Sequence, residues 1–126
     1  MTSNRPYLLR ALYEWVLDNN MTPHILVNAT FPGTVVPEEF VEDGRIVLNI
    51  APQAVRDLCL GERAVQFHAR FGGRSLEVHV PVAAVLGIYA RESGKGMVFP
   101  AQDEAGAEDG VEARQEGRKP TLTVVK

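Results

Sequence analysis

His68, Glu77 and His79 are the residues whose types could do metal chemistry, because two imidazoles and a carboxylate on one face of a hairpin make three ligands. No further Cys, His or Asp at ligand spacing completes a closed or catalytic set, and histidines on a solvated strand face are common, so no metal is expected. Glu38-Glu39 and Glu42-Asp43 pair carboxylates as acid–base catalysis requires, but adjacent acids beside a turn are ordinarily solvated charges. Cys59 lies between Leu58 and Leu60, surroundings that predict an inert buried thiol rather than a nucleophile. Phe71-Gly72-Gly73-Arg74 suits a two-residue hairpin turn, not the strand-to-helix loop that cradles phosphate. These residues predict no catalytic set and no cofactor, hence no enzyme.

The elements that would position these side chains begin with a helix. Pro6 suits a first helical turn, and Asn19-Asn20 followed by Thr22-Pro23 stops it, so the spacing predicts a helix over 6–19. Its apolar residues cover an arc of about 240° at 100° per residue, too wide for one core-facing stripe. Either the helix is enclosed on nearly all sides, or one part packs on the domain and another on a second copy; in a small domain the latter is expected, and with it a homodimer. His24 to Asn28 reads as a strand, and Glu38 to Ile50 as a hairpin turning at Asp43-Gly44. Ala64 to Val80 reads as a hairpin around Gly72-Gly73, pairing Phe71 with Arg74, Ala69 with Leu76 and Phe67 with Val78. The opposite face then carries Arg70 with Ser75, His68 with Glu77 and Gln66 with His79. Pro81 closes this hairpin, Val82-Ala83-Ala84 turns, and Val85 to Ala90 is a last apolar strand. The result is an α+β domain: one N-terminal helix, then about five or six antiparallel strands in a small barrel or strongly bent sheet.

The 126 residues, 45% of them hydrophobic, are enough for one domain with a real core. The net charge of −3 does not favour nucleic acid or an anionic membrane. Val82 to Ala90 is far shorter than the roughly 20 residues of a membrane span. With a single cysteine and no apolar leader at Met1 to Pro6, a cytoplasmic location is expected. The charge divides the chain, with about −1 on 1–100, −5 on 101–117 and +3 on 118–126. Three parts are therefore expected: a folded domain over 1–100, an acidic flexible linker over 101–117, and a terminal motif over 118–126 in which basic residues frame Leu122 to Val125. The alternative for Leu122 to Val125 is an edge strand that returns to the domain. Ala69 between Phe67 and Phe71 leaves a gap with aromatic walls, readable as a binding groove or as ordinary packing of small against large residues.

RPYLLRALYEWVLDNNMTPHI (5–25), IVLNIAPQAV (46–55), ARFGG (69–73), VPVAAVLGIYARE (80–92) and the terminal RKPTLTVVK closely resemble stringent starvation protein B, the SspB adaptor family that delivers ssrA-tagged proteins to the ClpXP protease. The resemblance implies an Sm-like bent sheet and a dimer through the N-terminal helix, with Leu8, Leu12, Trp15 and Val16 at the interface. It implies one groove per subunit that holds an extended segment of the ssrA tag, drawn from Asn49, Ile50, Ala51, Pro52, Gln53, Val55, Phe67, Ala69 and Phe71. It also implies that Leu122, Val124, Val125 and Lys126 dock on the N-terminal domain of ClpX. Thr123 departs from the family, which commonly has a basic residue there, so a charge-assisted docking contact is missing. The rival reading, an Sm-like RNA-binding or ribosome-associated protein, needs basic and stacking surface that this mildly acidic chain does not display.

Overall fold

The computed structural model describes residues 3–100, within which Arg5–Pro100 forms one compact unit. The acidic segment 101–117 and the terminal motif, with Leu122, Val124, Val125 and Lys126, lie outside the described residues. No described helix is long and apolar enough to cross a membrane.

Helix α1 spans Arg5–Asp18, within a residue of the predicted bounds at each end. Its stop is a left-handed cap at Asn20, φ 60°. The Met21 amide donates to the Val16 carbonyl at 3.1 Å and the Asn20 amide to Leu17 at 2.9 Å, satisfying carbonyls the last turn would otherwise strand.

Among the described residues seven strands follow: β1 Pro23–Asn28, β2 Arg45–Asn49, β3 Val55–Leu60, β4 Ala64–Phe71, β5 Arg74–Pro81, β6 Val85–Ala90 and β7 Gly96–Val98. They form two antiparallel sheets, a four-stranded one ordered β2-β1-β6-β7 and a three-stranded one ordered β3-β4-β5. The α+β class and the leading helix are as expected, whereas the strands form two sheets rather than a closed barrel. Alternation places Ile25, Val27, Ile46, Leu48 and Ile88 of the first sheet and Val65, Phe67, Val78 and Val80 of the second in one core, joined by Leu9 of α1. Each of these side chains contributes about 1.5–3 kcal/mol when fully buried.

The β4–β5 hairpin has the predicted register pair by pair, from Ala64 opposite Pro81 to Phe71 opposite Arg74. Gly72 and Gly73 take φ values of 60° and 84°, the pair of left-handed residues that a tight hairpin turn requires. The predicted hairpin over 38–50 is only half formed. Asp43 and Gly44 do make a tight turn, φ 54° and 75°, but Glu38–Phe40 is a single 3-10 turn and only Glu42 bridges back to Arg45. Pro37 starts that turn without an amide to donate, and β2 pairs instead with β1, where Ile46 and Leu48 reach the core. Val85 to Ala90 is not the last strand: β7 pairs with β6 so closely that a Cβ on Gly87 would lie 2.9 Å from the Met97 carbonyl oxygen.

Arg5 ties the helix to the end of the domain. Its guanidinium, 3% exposed, donates to the carbonyls of Val85 at 3.0 Å and Pro100 at 2.7 Å, with a longer 3.5 Å contact to Ala83, and lies 4.9 Å from the centre of the Phe99 ring. Burial pulls its pKa below the ordinary arginine value. Arg5→Met keeps the length and removes every guanidinium donor, leaving the buried bond to the Val85 carbonyl unmade; a loss of about 1–3 kcal/mol is expected. Denaturant titration reads it, and an unchanged unfolding midpoint is the result that contradicts the clamp.

Candidate functional site

The chain crosses from the first sheet to the second over Ile50 to Ala54. Asn49 fixes the crossing by accepting, through its side-chain oxygen, the Ala51 amide at 2.9 Å, and the Ala54 amide donates to the Ala51 carbonyl at 2.8 Å. The Ile50 amide donates to Pro23 at 3.0 Å, which anchors the turn to β1. The turn delivers Val55 to β3 directly opposite Ala69 on β4, and Ala69 in turn lies opposite Leu76 on β5.

A groove of about 480 Å³ opens here, lined by Gln53, Ala54, Val55, Arg56, His68, Ala69, Arg70 and Ser75. Three of the residues predicted for peptide binding, Gln53, Val55 and Ala69, line it. Ile50, Ala51 and Phe67 are 0%, 1% and 1% exposed, so they are buried and do not line it. Asn49 and Pro52 are exposed on the turn beside it, and half-buried Phe71 stands at the hairpin end against Phe40, ring centres 5.7 Å apart. Phe40 was not among the predicted site residues; it arrives on the 3-10 turn that replaces the expected strand.

Ala54, Arg56, His68, Arg70 and Ser75 escaped prediction as lining residues, although the hairpin register already placed His68, Arg70 and Ser75 on one face. What was missing was β3. Asp57 adopts φ 57°, and the β3–β4 register shifts between Arg56 and Cys59, so this strand lacks the simple alternation that marks the others. The bulge brings the Asp57 carboxylate to 3.6 Å from His68 Nδ1, an ionic contact when His68 is protonated but too long for a good hydrogen bond. The same strand corrects the reading of Cys59, whose thiol is exposed rather than buried.

His68 and Glu77 are cross-strand partners, with His79 opposite Gln66. Among the described residues no group of three His, Cys, Asp or Glu side chains is placed to hold a metal ion. Glu38 and Glu39 are exposed on their turn. Asn49 lies opposite His24 on β1, whose imidazole is held below its usual pKa first by burial and then by Arg91. At the start of β1, Glu92 accepts from the Thr22 amide and hydroxyl at 2.8 and 2.7 Å, and these bonds pull its carboxyl down to about 2.

On α1, Val16 faces inward at 1% exposure, so it belongs to the interior of the single chain. Leu8 and Leu12 are half-buried, while Tyr7 and Trp15 remain 53% and 45% exposed.

The family model described as "Stringent starvation protein B" matches residues 3–125. A "Stringent starvation protein B homolog" from Haemophilus influenzae is 50% identical over 99 residues, covering 79% of this chain. The match spans 66% of that relative's length, just under two thirds. A match that runs through the helix, both sheets and the groove, at half identity to a named relative, makes this chain a member of the stringent starvation protein B family.

Proposed function

We propose that this chain is a cytoplasmic adaptor without chemistry of its own, which captures the ssrA degradation tag and brings its bearer to the ClpX unfoldase for degradation by ClpXP. The observation that carries the reading is the groove at the β3–β4 junction, lined by Val55 and its cross-strand partner Ala69 together with Gln53, Arg56, His68, Arg70 and Ser75. A preformed groove fits capture of an extended peptide, because little ordering cost falls on the protein. The acidic segment 101–117 serves as the tether and residues 118–126 as the docking element, so that delivery works through raised local concentration. Anisotropy titration of a fluorescein-labelled ssrA peptide with the full chain tests the reading. Saturable binding that an unlabelled ssrA peptide reverses is expected, and absence of binding removes the tag as ligand.

The adaptor acts as a homodimer through α1. Tyr7 and Trp15 support this: two large aromatics exposed on one short helix suit burial against a second copy. Sedimentation equilibrium should give twice the chain mass of 13.8 kDa, and Trp15→Asp should shift the population to the single mass. A monomer at all concentrations for the unaltered chain is the opposing result.

A further inference from the structure

His24 stands beside both anchors of the crossing between the sheets. The carbonyl of its neighbour Pro23 accepts the Ile50 amide at 3.0 Å, and the side chain of its cross-strand partner Asn49 accepts the Ala51 amide at 2.9 Å. The bond from Ile50 to Pro23 makes His24 and Asn49 a non-hydrogen-bonded pair, the kind in which opposed side chains lie closest. On the β6 side the imidazole meets the Tyr89 ring edge-on, centres 5.7 Å apart and planes at 65°.

His24 Nε2 is enclosed and makes no hydrogen bond among the described residues. A neutral ring leaves one unpaired nitrogen in that space. An imidazolium adds to it a charge and makes both ring nitrogens donors, at a much higher desolvation cost. The acceptors on the residues around it are already committed. Asn49 Oδ1 holds the Ala51 amide, and the Glu92 carboxylate holds the Thr22 amide and hydroxyl. Strand β2 presents uncharged Asn49 to the ring, and β6 presents Tyr89 and, past its end, Arg91 and Glu92. Strand β1 has no other titratable side chain, and no charge from α1, which also packs on β1, acts on the imidazole. Burial opposes the proton most, Arg91 opposes it further, and Glu92 offsets part of this, so the His24 pKa lies below its ordinary value.

Resting on the reading of the groove as the tag-binding site, we infer that His24 is a pH-sensitive latch on the Asn49–Ala54 crossing. While neutral it lets the crossing close and deliver Gln53, Ala54 and Val55 to the groove; when protonated it loosens the crossing and weakens capture. Protonation supplies a new donor directly opposite Asn49, where it competes with the Ala51 amide for Oδ1. Above the ordinary histidine value of 6.5 the ring is neutral with the crossing open or closed, and the closed form has its full stability. Below 6.5 the open, hydrated form takes up a proton first, and that stability drains until the closed form protonates as well.

The test compares the full chain with H24Q, which keeps a polar side chain, and H24F, which keeps a ring against Tyr89; neither can take up the proton. Between about pH 8 and about pH 5, the affinity for a fluorescein-labelled ssrA peptide should fall about fivefold further in the unaltered chain than in either variant, each compared with itself. Titration of the peptide, and of His68 in the groove, is common to all three proteins and cancels. By NMR the His24 imidazole should titrate below 6.5, and the Ala51 amide resonance should move with the same midpoint. The latch is overturned if His24 titrates at or above 6.5, if the Ala51 amide does not follow it, or if all three proteins lose affinity in parallel. Absence of peptide binding at the higher pH instead removes the tag-binding reading, and the Ala51 amide then decides the latch by itself.

Discussion

A chain ending at Gly117 should bind a labelled ssrA peptide with the affinity of the full chain and yet give no acceleration of degradation by ClpXP. The expected separation follows from the charge plan: the −5 of residues 101–117 gives way to +3 over 118–126, with Leu122 to Val125 as the apolar centre of the docking element. Among the described residues the groove is lined from Gln53 to Ser75. Tethering gains its effect from effective concentration, which can strengthen a two-site interaction by about 10²–10⁴-fold without any new contact at either site. Removing one site therefore forfeits the whole enhancement while leaving the other affinity untouched. Degradation of a tagged fluorescent protein at concentrations well below its own affinity for the protease reads the effect, because the untethered rate is then slow. Loss of tag affinity in the truncated chain would join the two parts that the proposal separates; full acceleration without the last nine residues would place docking elsewhere.

How much of this was legible in the sequence depends on whether a local rule had to compete with a distant one. The end of α1 and the β4–β5 hairpin follow from local chemistry: Asn20 tolerates a left-handed backbone, and Gly72-Gly73 takes the two positive φ values that set eight cross-strand residue pairs in register. Strand β3 was hidden because its bulge at Asp57 breaks the period on which strand recognition rests, and with it went the exposure of Cys59 and the groove role of Arg56. Strand β7 is three residues long and depends on Gly87 allowing close approach, which no propensity signals. The wide apolar arc of α1 was visible, but not its division: Val16 turns inward and Trp15 outward because of where β6 and β1 sit, a tertiary fact. For the groove, the gap at Ala69 was readable as a small residue between aromatics. That Phe67 is buried, and that Arg70 and Ser75 line the groove, requires knowing that Val55 arrives opposite Ala69.

Ala69→Phe should have the opposite effect to the truncation, lowering ssrA-peptide affinity at least about tenfold while leaving the docking element able to bind ClpX. Ala69 sits on the central strand of its sheet between Val55 and Leu76, so neighbours on both sides prevent a larger side chain from moving away sideways. Ala69 lines the 480 Å³ groove, so the bulk of a phenyl ring at this position should narrow the space a peptide needs. Because Ala69 is only half-buried, the cost to folding should stay near the lower end of the roughly 1–3 kcal/mol typical of overpacking, so the variant remains folded at ordinary temperature. A second readout separates a blocked groove from an unfolded domain. An intact Ala69→Phe protein still occupies ClpX through residues 118–126, so in excess it should suppress the acceleration given by the unaltered adaptor, whereas an Ala69→Phe chain also lacking 118–126 should not. Tag affinity unchanged within error in Ala69→Phe removes the groove as the binding site, and suppression that persists without the last nine residues removes the docking element.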